Sequence, residues 1–211
     1  MSAVSRSASD LAGAAFIVGM RAEARIARRL GVVAIGAASA EEAARRGASA
    51  LISFGLAGGL DPALPPGTLV VAATVVTLAG ERFAAAPALI ASLGGASAGA
   101  ILASPGIVGG ASEKARLFAT TGAVAVDMES GAVARAAARH GIPFAVLRAI
   151  ADPAGRDLPP AARAAFDPAG GIAYIRLIAS LAANPAQLPA LIALGRETRA
   201  AMRALRRAAR R

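Results

Sequence analysis

A chain of 211 residues with 56% hydrophobic content is long enough for one substantial core and too short for two ordinary domains. It has no cysteine and one histidine, His140, which excludes disulfides, thiolate nucleophiles, cysteine-ligated metals and histidine-based metal sites or triads, and leaves carboxylates, hydroxyls, arginines and backbone amides for any chemistry. The net charge is +10, yet residues 196–211 alone hold seven arginines against Glu197, and aromatics are only 3%, so the excess sits in a terminal tail without stacking platforms and nucleic acid is not an expected partner.

The first twenty residues, MSAVSRSASDLAGAAFIVGM, imitate a secretory signal, with Arg6 ahead of an apolar run. Asp10 borders that run and RAEARIARR follows it at once, so residues 1–12 read as an extension and AAFIVGM (14–20) as a first buried strand. Helix-like stretches at 21–30, 40–47, 111–120 and 127–140 alternate with strand-length apolar runs at 32–37, 50–59, 68–76, 100–108, 123–126 and 143–151. The GGASAG cluster at 94–99 reads as a turn, and no unbroken apolar stretch reaches the length of a membrane span. Buried runs without alternation, separated by helices, predict an α/β fold over residues 13–187: one domain with a mixed, largely parallel β-sheet flanked by helices.

Ligands of open α/β sheets bind beyond the carboxyl ends of strands, which singles out residues 19–23, 55–59 and Asp152. GLAGG at 55–59 can bring backbone amides close to an anion or sugar, or be a plain turn. Asp127 and Glu129 stand where a strand gives way to a helix, so they either serve the helix N-terminus or carry chemistry. Asp152 precedes Pro153, a common turn position for aspartate. His140, followed by Gly141, reads as a helix-end residue.

VDMESGAVARAAARHGIPFAVLRAIAD at 126–152 joins an acidic residue, Met-Glu, a small-residue helix, Gly-Ile-Pro-Phe and a strand ending Arg-Ala-Ile-x-Asp. It resembles the signature of the purine nucleoside phosphorylase and methylthioadenosine nucleosidase superfamily, and GMRAE (19–23) and SFGLAGGLDPALPPGTLVV (53–71) resemble two further segments of that family. The resemblance implies a nucleoside phosphorylase-like fold and an enzyme that cleaves the bond between a purine and ribose. It assigns Asp152 as the general acid toward purine N7, Glu129 to the ribose hydroxyls, Met128 to packing on the sugar, and Asp127, Gly58 and Phe166 to the same substrate site. Glu23 would activate water in a nucleosidase, whereas Gly19 with Arg21, or Arg25, would bind phosphate as co-substrate in a phosphorylase. No other cofactor and no metal is implied, and relatives of this kind form homo-oligomers.

Two departures accompany the likeness. Leu56 stands where many relatives have a serine, with Ser53 as a substitute, and Ala151 replaces a serine before Asp152, removing one orienting hydrogen bond. The short stretch between residues 31 and 50, the alanine-rich composition and the basic C-terminus are similar to the hopanoid-associated phosphorylases, which implies adenosylhopane as substrate and adenine as product. A methylthioadenosine and S-adenosylhomocysteine nucleosidase is the alternative, and a non-catalytic nucleoside-binding protein is the alternative of another class. Residues 188–211 predict a helix with an apolar stripe beside a cationic one, either solvated or facing anionic lipid, so the expected location is cytoplasmic with peripheral contact at the inner membrane face.

Overall fold

The structure, a computed structural model, describes residues 11–95, 99–165 and 173–210. Its elements run β1 (Ala14–Val18), α1 (Arg21–Ala27), β2 (Val32–Ile35), α2 (Ser39–Arg45), β3 (Ala50–Gly59), β4 (Leu69–Val71), β5 (Thr74–Thr77), β6 (Arg82–Ala84) and α3 (Pro87–Ser92). After these come β7 (Ala100–Ala103), α4 (Ala111–Thr121), β8 (Ala123–Asp127), α5 (Ser130–His140), β9 (Phe144–Asp152), α6 (Pro160–Ala165), α7 (Tyr174–Ala183) and α8 (Leu188–Ala208). The fold is a single α/β domain with a mixed, mostly parallel sheet: β1 pairs in parallel with β2 and β3, β3 with β9, and β7 with β5 and β8, whereas β3·β8, β4·β9 and β5·β6 are antiparallel.

The sheet does not stay open. From β3 the path runs through β9 to β4, crosses the two alanines 72–73 into β5, and returns through β7 and β8 to the end of β3, where Gly58 and Gly59 face Val126 and Ala125. The single strand expected over 68–76 is therefore two, because the chain leaves β9 and takes up β7 as its partner. The short β6, which carries no apolar run of its own, pairs with β5, and α3 begins at Pro87, a residue whose fixed φ suits the first turn of a helix.

Both sheet faces are covered. Phe16, Ile52, Phe54 and Leu147 pack under α1, α3 and α8, and Ile17, Leu51, Val146 and Ile150 pack under α2 and α5. Alanines 134, 136 and 137 let α5 lie close on its strands, so the alanine content does the work of tight helix-to-sheet packing. Asp127 ends β8 and α5 starts only at Ser130, three residues later than the helical pattern predicts, since Asp127 accepts the Ser130 amide at 3.2 Å.

Phe16 and Phe54 meet edge to face, with ring centroids 6.1 Å apart, and both are fully buried. Phe54→Ala empties the centre of that face and should lower unfolding free energy by about 3–5 kcal/mol, read as a lowered denaturant midpoint with an unchanged slope.

Candidate active site

The carboxyl ends of β1, β3, β8 and β9 converge on one cavity of about 610 Å3. Glu23 reaches it from α1. Its helix exposes Arg21 and Arg25 and buries Glu23, Ala24, Ile26 and Ala27, and the buried carboxylate accepts amides from Gly19 at 2.9 Å, Met20 at 2.8 Å and Leu56 at 2.7 Å. Burial pushes its pKa up to about 7, opposed by the Arg148 charge and by the Leu56 amide.

Arg148 stands in the middle of β9, with every residue of that strand buried. Its Nη2 pairs with Asp127 at 2.6 Å and Glu129 at 3.0 Å and donates to Ser53 Oγ at 2.6 Å, while Nη1 donates to the Leu56 carbonyl at 3.2 Å. Burial works against this charge, but Asp127, Glu129 and Glu23 outweigh it and hold its pKa above the ordinary arginine value. Asp127, pushed up by burial with Arg148 opposing, is further tied by the Ser130 hydroxyl. Two glycines make room for the cluster: a Cβ on Gly19 would stand 2.6 Å from Glu129 Oε1, and one on Gly55 would stand 2.5 Å from Glu23 Oε1.

Asp152 closes β9 opposite Gly58, just past a register shift, and a Cβ on Gly58 would come 3.3 Å from its carboxylate. Lys114, fully buried on α4, forms an ion pair with Asp152 and donates to the carbonyls of Pro153 at 2.9 Å and Arg156 at 3.1 Å. Burial raises the Asp152 pKa and Lys114 restrains the rise.

Gly19, Glu23, Gly58, Asp127, Met128, Glu129 and Asp152 all line the cavity. Arg21 does not: it is exposed on the opposite side of α1, and Arg25 borders a separate groove, so neither arginine expected for phosphate faces this site. Phe166 lies outside the described residues. Ser53 does not stand in for a hydroxyl at position 56, because it is fully buried behind Arg148; the Leu56 backbone instead serves Glu23 and Arg148 directly. Ala151 has no hydroxyl with which to orient Asp152, and the Lys114 ammonium holds that carboxylate in its place. His140 ends α5 beside Glu41, at 2.7 Å. Among the described residues, no group of three His, Asp or Glu side chains is placed to hold a metal.

Two functional residues escape a reading of the sequence alone, and both carry a signal in it. Arg148 is a charge inside an otherwise apolar strand, and Lys114 is the only lysine in an arginine-rich chain. An arginine at 114 would spread its charge over a planar fork, whereas a compact ammonium can direct three donors at three acceptors.

A model of the phosphorylase superfamily matches residues 30–92 and 95–182, more than half of the sequence. The chain belongs to the phosphorylase superfamily. Among solved structures it is similar to the methylthioadenosine/S-adenosylhomocysteine nucleosidase of Neisseria meningitidis, at 20% identity and a TM-score of 0.63 over 93% of this chain and 96% of that one. The S-adenosylhomocysteine nucleosidase of Streptococcus pyogenes follows at 19% and 0.58, over 67% and 84%. The futalosine hydrolase of Helicobacter pylori stands at 20% and 0.58, over 66% and 87%. At these identities the likeness is one of fold, and no curated protein sequence matches the chain.

The Lys114–Asp152 pair predicts a pH effect on stability. A carboxyl with a raised folded pKa binds more protons folded than unfolded between its two pKa values, so stability falls as pH rises through that window. Lys114→Met removes the restraint and widens the window upward. The variant should therefore lose stability relative to the parent as pH rises from mildly acidic toward neutral, and adding Asp152→Asn should abolish that extra slope, as followed by urea midpoints across pH.

Proposed function

We propose that this protein hydrolyses the N-glycosidic bond of a purine ribonucleoside bearing an apolar 5′ substituent and releases the free base. The observation that carries this reading is the placement of three carboxylates in different environments around one cavity. Glu129 is paired with Arg148, Glu23 is buried with a pKa near 7, and Asp152 is buried against a lysine. Breaking the bond leaves positive charge on the sugar and negative charge on the base, so the two ends of the reacting bond need opposite help.

In the proposed reaction Glu129 accepts from the ribose hydroxyls and Met128 packs on the sugar. Glu23, ionised, takes a proton from water as its oxygen attacks C1′. The C1′–N bond breaks, its electron pair goes to the purine, and Asp152 supplies the proton that neutralises the base at N7. Lys114 keeps the Asp152 carboxyl oriented and re-forms the ion pair once the proton has left.

Water is favoured over phosphate by the charge count at the site. Arg148 is already engaged by Asp127 and Glu129, Lys114 by Asp152, and Arg21 points away; among the described residues the one further arginine on the cavity wall, Arg199, comes from α8 and not from the strand ends, so a phosphate dianion beside Glu23 would enter a region dominated by carboxylates. The apolar 5′ group is supported by the rest of the cavity wall, where Ile107, Val108, Leu158, Leu177, Leu191 and Leu194 extend well beyond the carboxylate end. Adenosylhopane is the extreme member of that substrate class. Methylthioadenosine and S-adenosylhomocysteine, substrates named for the solved relatives, form the second reading and would leave most of that wall uncovered.

Asp152→Asn and Glu23→Gln should each slow base release on the order of a hundred- to ten-thousand-fold with folding retained, and the parent rate should not depend on added phosphate. Full turnover in either folded variant would remove its assigned role, and an absolute need for phosphate would replace hydrolysis by phosphorolysis. Because Glu23 works only when ionised, kcat/KM should fall as pH drops below about 7, the value to which burial lifts it. In a series of 5′-alkylthioadenosines, kcat/KM should climb toward about fourfold per added methylene, the gain for a fully buried CH2. A flat series would favour the methylthioadenosine reading.

A further inference from the structure

Helix α8 separates the cavity from the outer surface. One of its faces, with Leu191, Leu194 and Thr198, lines the cavity, and Ala201, Leu205 and Ala208 pack into the core. The next face is unlike either. Leu188 and Ile192, 46% and 48% exposed, are followed at helical spacing by Arg196, Arg203, Arg206 and Arg210, with Arg199 between them at the cavity wall, so a single stripe is apolar in its first half and cationic in its second. Before α8 the chain bends by 111° out of α7, whose Ile175 and Ile178 are 85% and 64% exposed. At the far end, Arg206 and Arg210 face Arg25 and Arg29 of α1 across a groove of about 320 Å3 floored by Ala22, Ile26 and Met202. Among the described residues none of these arginines forms an ion pair.

We propose that this α7–α8 surface, with Arg25 and Arg29 of α1, docks on an anionic lipid bilayer, the exposed isoleucines and Leu188 entering the headgroup boundary and the arginines meeting lipid phosphates. Charge complementarity selects this occupant. Two copies of the chain packed stripe to stripe would set arginine rows against each other or against apolar side chains, leaving the charges unpaired in both arrangements. A nucleic acid would satisfy the arginines but not four large exposed aliphatic residues, and among the described side chains no aromatic one stands on the α8 stripe to stack on a base. An anionic bilayer offers both phosphate and apolar depth, and a helix with such a stripe lies along it rather than through it. No single described helix is long and apolar enough to cross a membrane. The docked orientation would bring α8 between the bilayer and the cavity it lines, giving an apolar 5′ group a short path from lipid to site. That last step alone rests on the proposed substrate.

The test uses the full chain and co-sedimentation with phosphatidylcholine vesicles containing or lacking phosphatidylglycerol. Binding is expected only with phosphatidylglycerol and should weaken as salt rises. Each basic residue near such a surface strengthens binding about fivefold, so Arg203→Glu, Arg206→Glu and Arg210→Glu combined should lower it by at least about a hundredfold. Ile178→Ser with Ile192→Ser, which leaves the charge unchanged, should lower it about tenfold or more. Circular dichroism and melting confirm that both variants fold. Equal recovery of the parent protein in the supernatant with and without phosphatidylglycerol overturns the proposal. So does binding that neither set of substitutions changes, and so does equally tight binding to a duplex oligonucleotide that survives loss of the isoleucines, which would assign the arginines to nucleic acid. Base release from a water-soluble nucleoside is read separately, since none of the substituted residues lines the cavity; failure of docking leaves the proposed chemistry standing, and the reverse also holds.

Discussion

A buried guanidinium in the middle of a strand is the constraint around which this molecule is arranged. An isolated charge in that position would cost far more than the whole net stability of a domain, so Arg148 is tolerable only if carboxylates arrive from elsewhere in the chain. They come from the end of β8 as Asp127, from the start of α5 as Glu129 and from α1 as Glu23, with Ser53 and the Leu56 carbonyl of β3 completing the shell. Each of these segments must end at the same depth for the charge to be met. Closure of β3, β9 and β8 around one point and the assembly of the acidic site are the same event.

That arrangement leaves the site with more carboxylates than cations, and the excess is what makes it chemically useful. A carboxyl with no full partner takes its proton more readily, which is the state of Glu23, lifted by burial despite Arg148 nearby and despite three amide donors. Lys114 serves Asp152 differently. It donates to one carboxylate and two carbonyls and meets no second acid, so an ionised Asp152 is faced by an ammonium instead of being stranded as a lone charge in the interior. Two buried cations therefore play unlike parts: one binds carboxylates into a fixed cluster, the other restrains a single acid.

Much of this is legible in the sequence, and the parts that are not have physical reasons. The strands of the central sheet read as continuous apolar runs because both faces are covered. The turn of chain at alanines 72–73 does not, because a change of strand partner leaves no mark in a run of apolar residues. The carboxylates Glu23, Glu129 and Asp152 stand out as charges at strand ends. Proximity in sequence pairs Arg21 with Glu23, yet two residues along a helix turn a side chain by roughly 200°, so the geometry of α1 allows only one of them into the cavity. Ser53 reads as a replacement for a hydroxyl at position 56, but an odd number of residues separates opposite faces of a strand, and it lies behind Arg148 instead. Lys114 cannot be placed from sequence because its partner lies 38 residues away and on another element.

The division between sheet and outer helices bears on how such a fold changes its substrate. The charged cluster belongs to strand ends and to the first turns beside them, where a shift of one residue would unpair a buried charge. The apolar wall belongs to α6, α7 and α8, whose cavity leucines and alanines have no polar obligations and stand beside Gly195, Thr198 and Arg199 of α8. Substitution there alters volume and shape at a cost set only by packing, so the wall can be recast without disturbing Arg148 or Asp152. Nucleosidases and a futalosine hydrolase share this fold with the present chain at about a fifth of identical residues. Strict electrostatics at the strand ends combined with permissive packing in the peripheral helices is the physical arrangement under which that breadth and a common fold coexist.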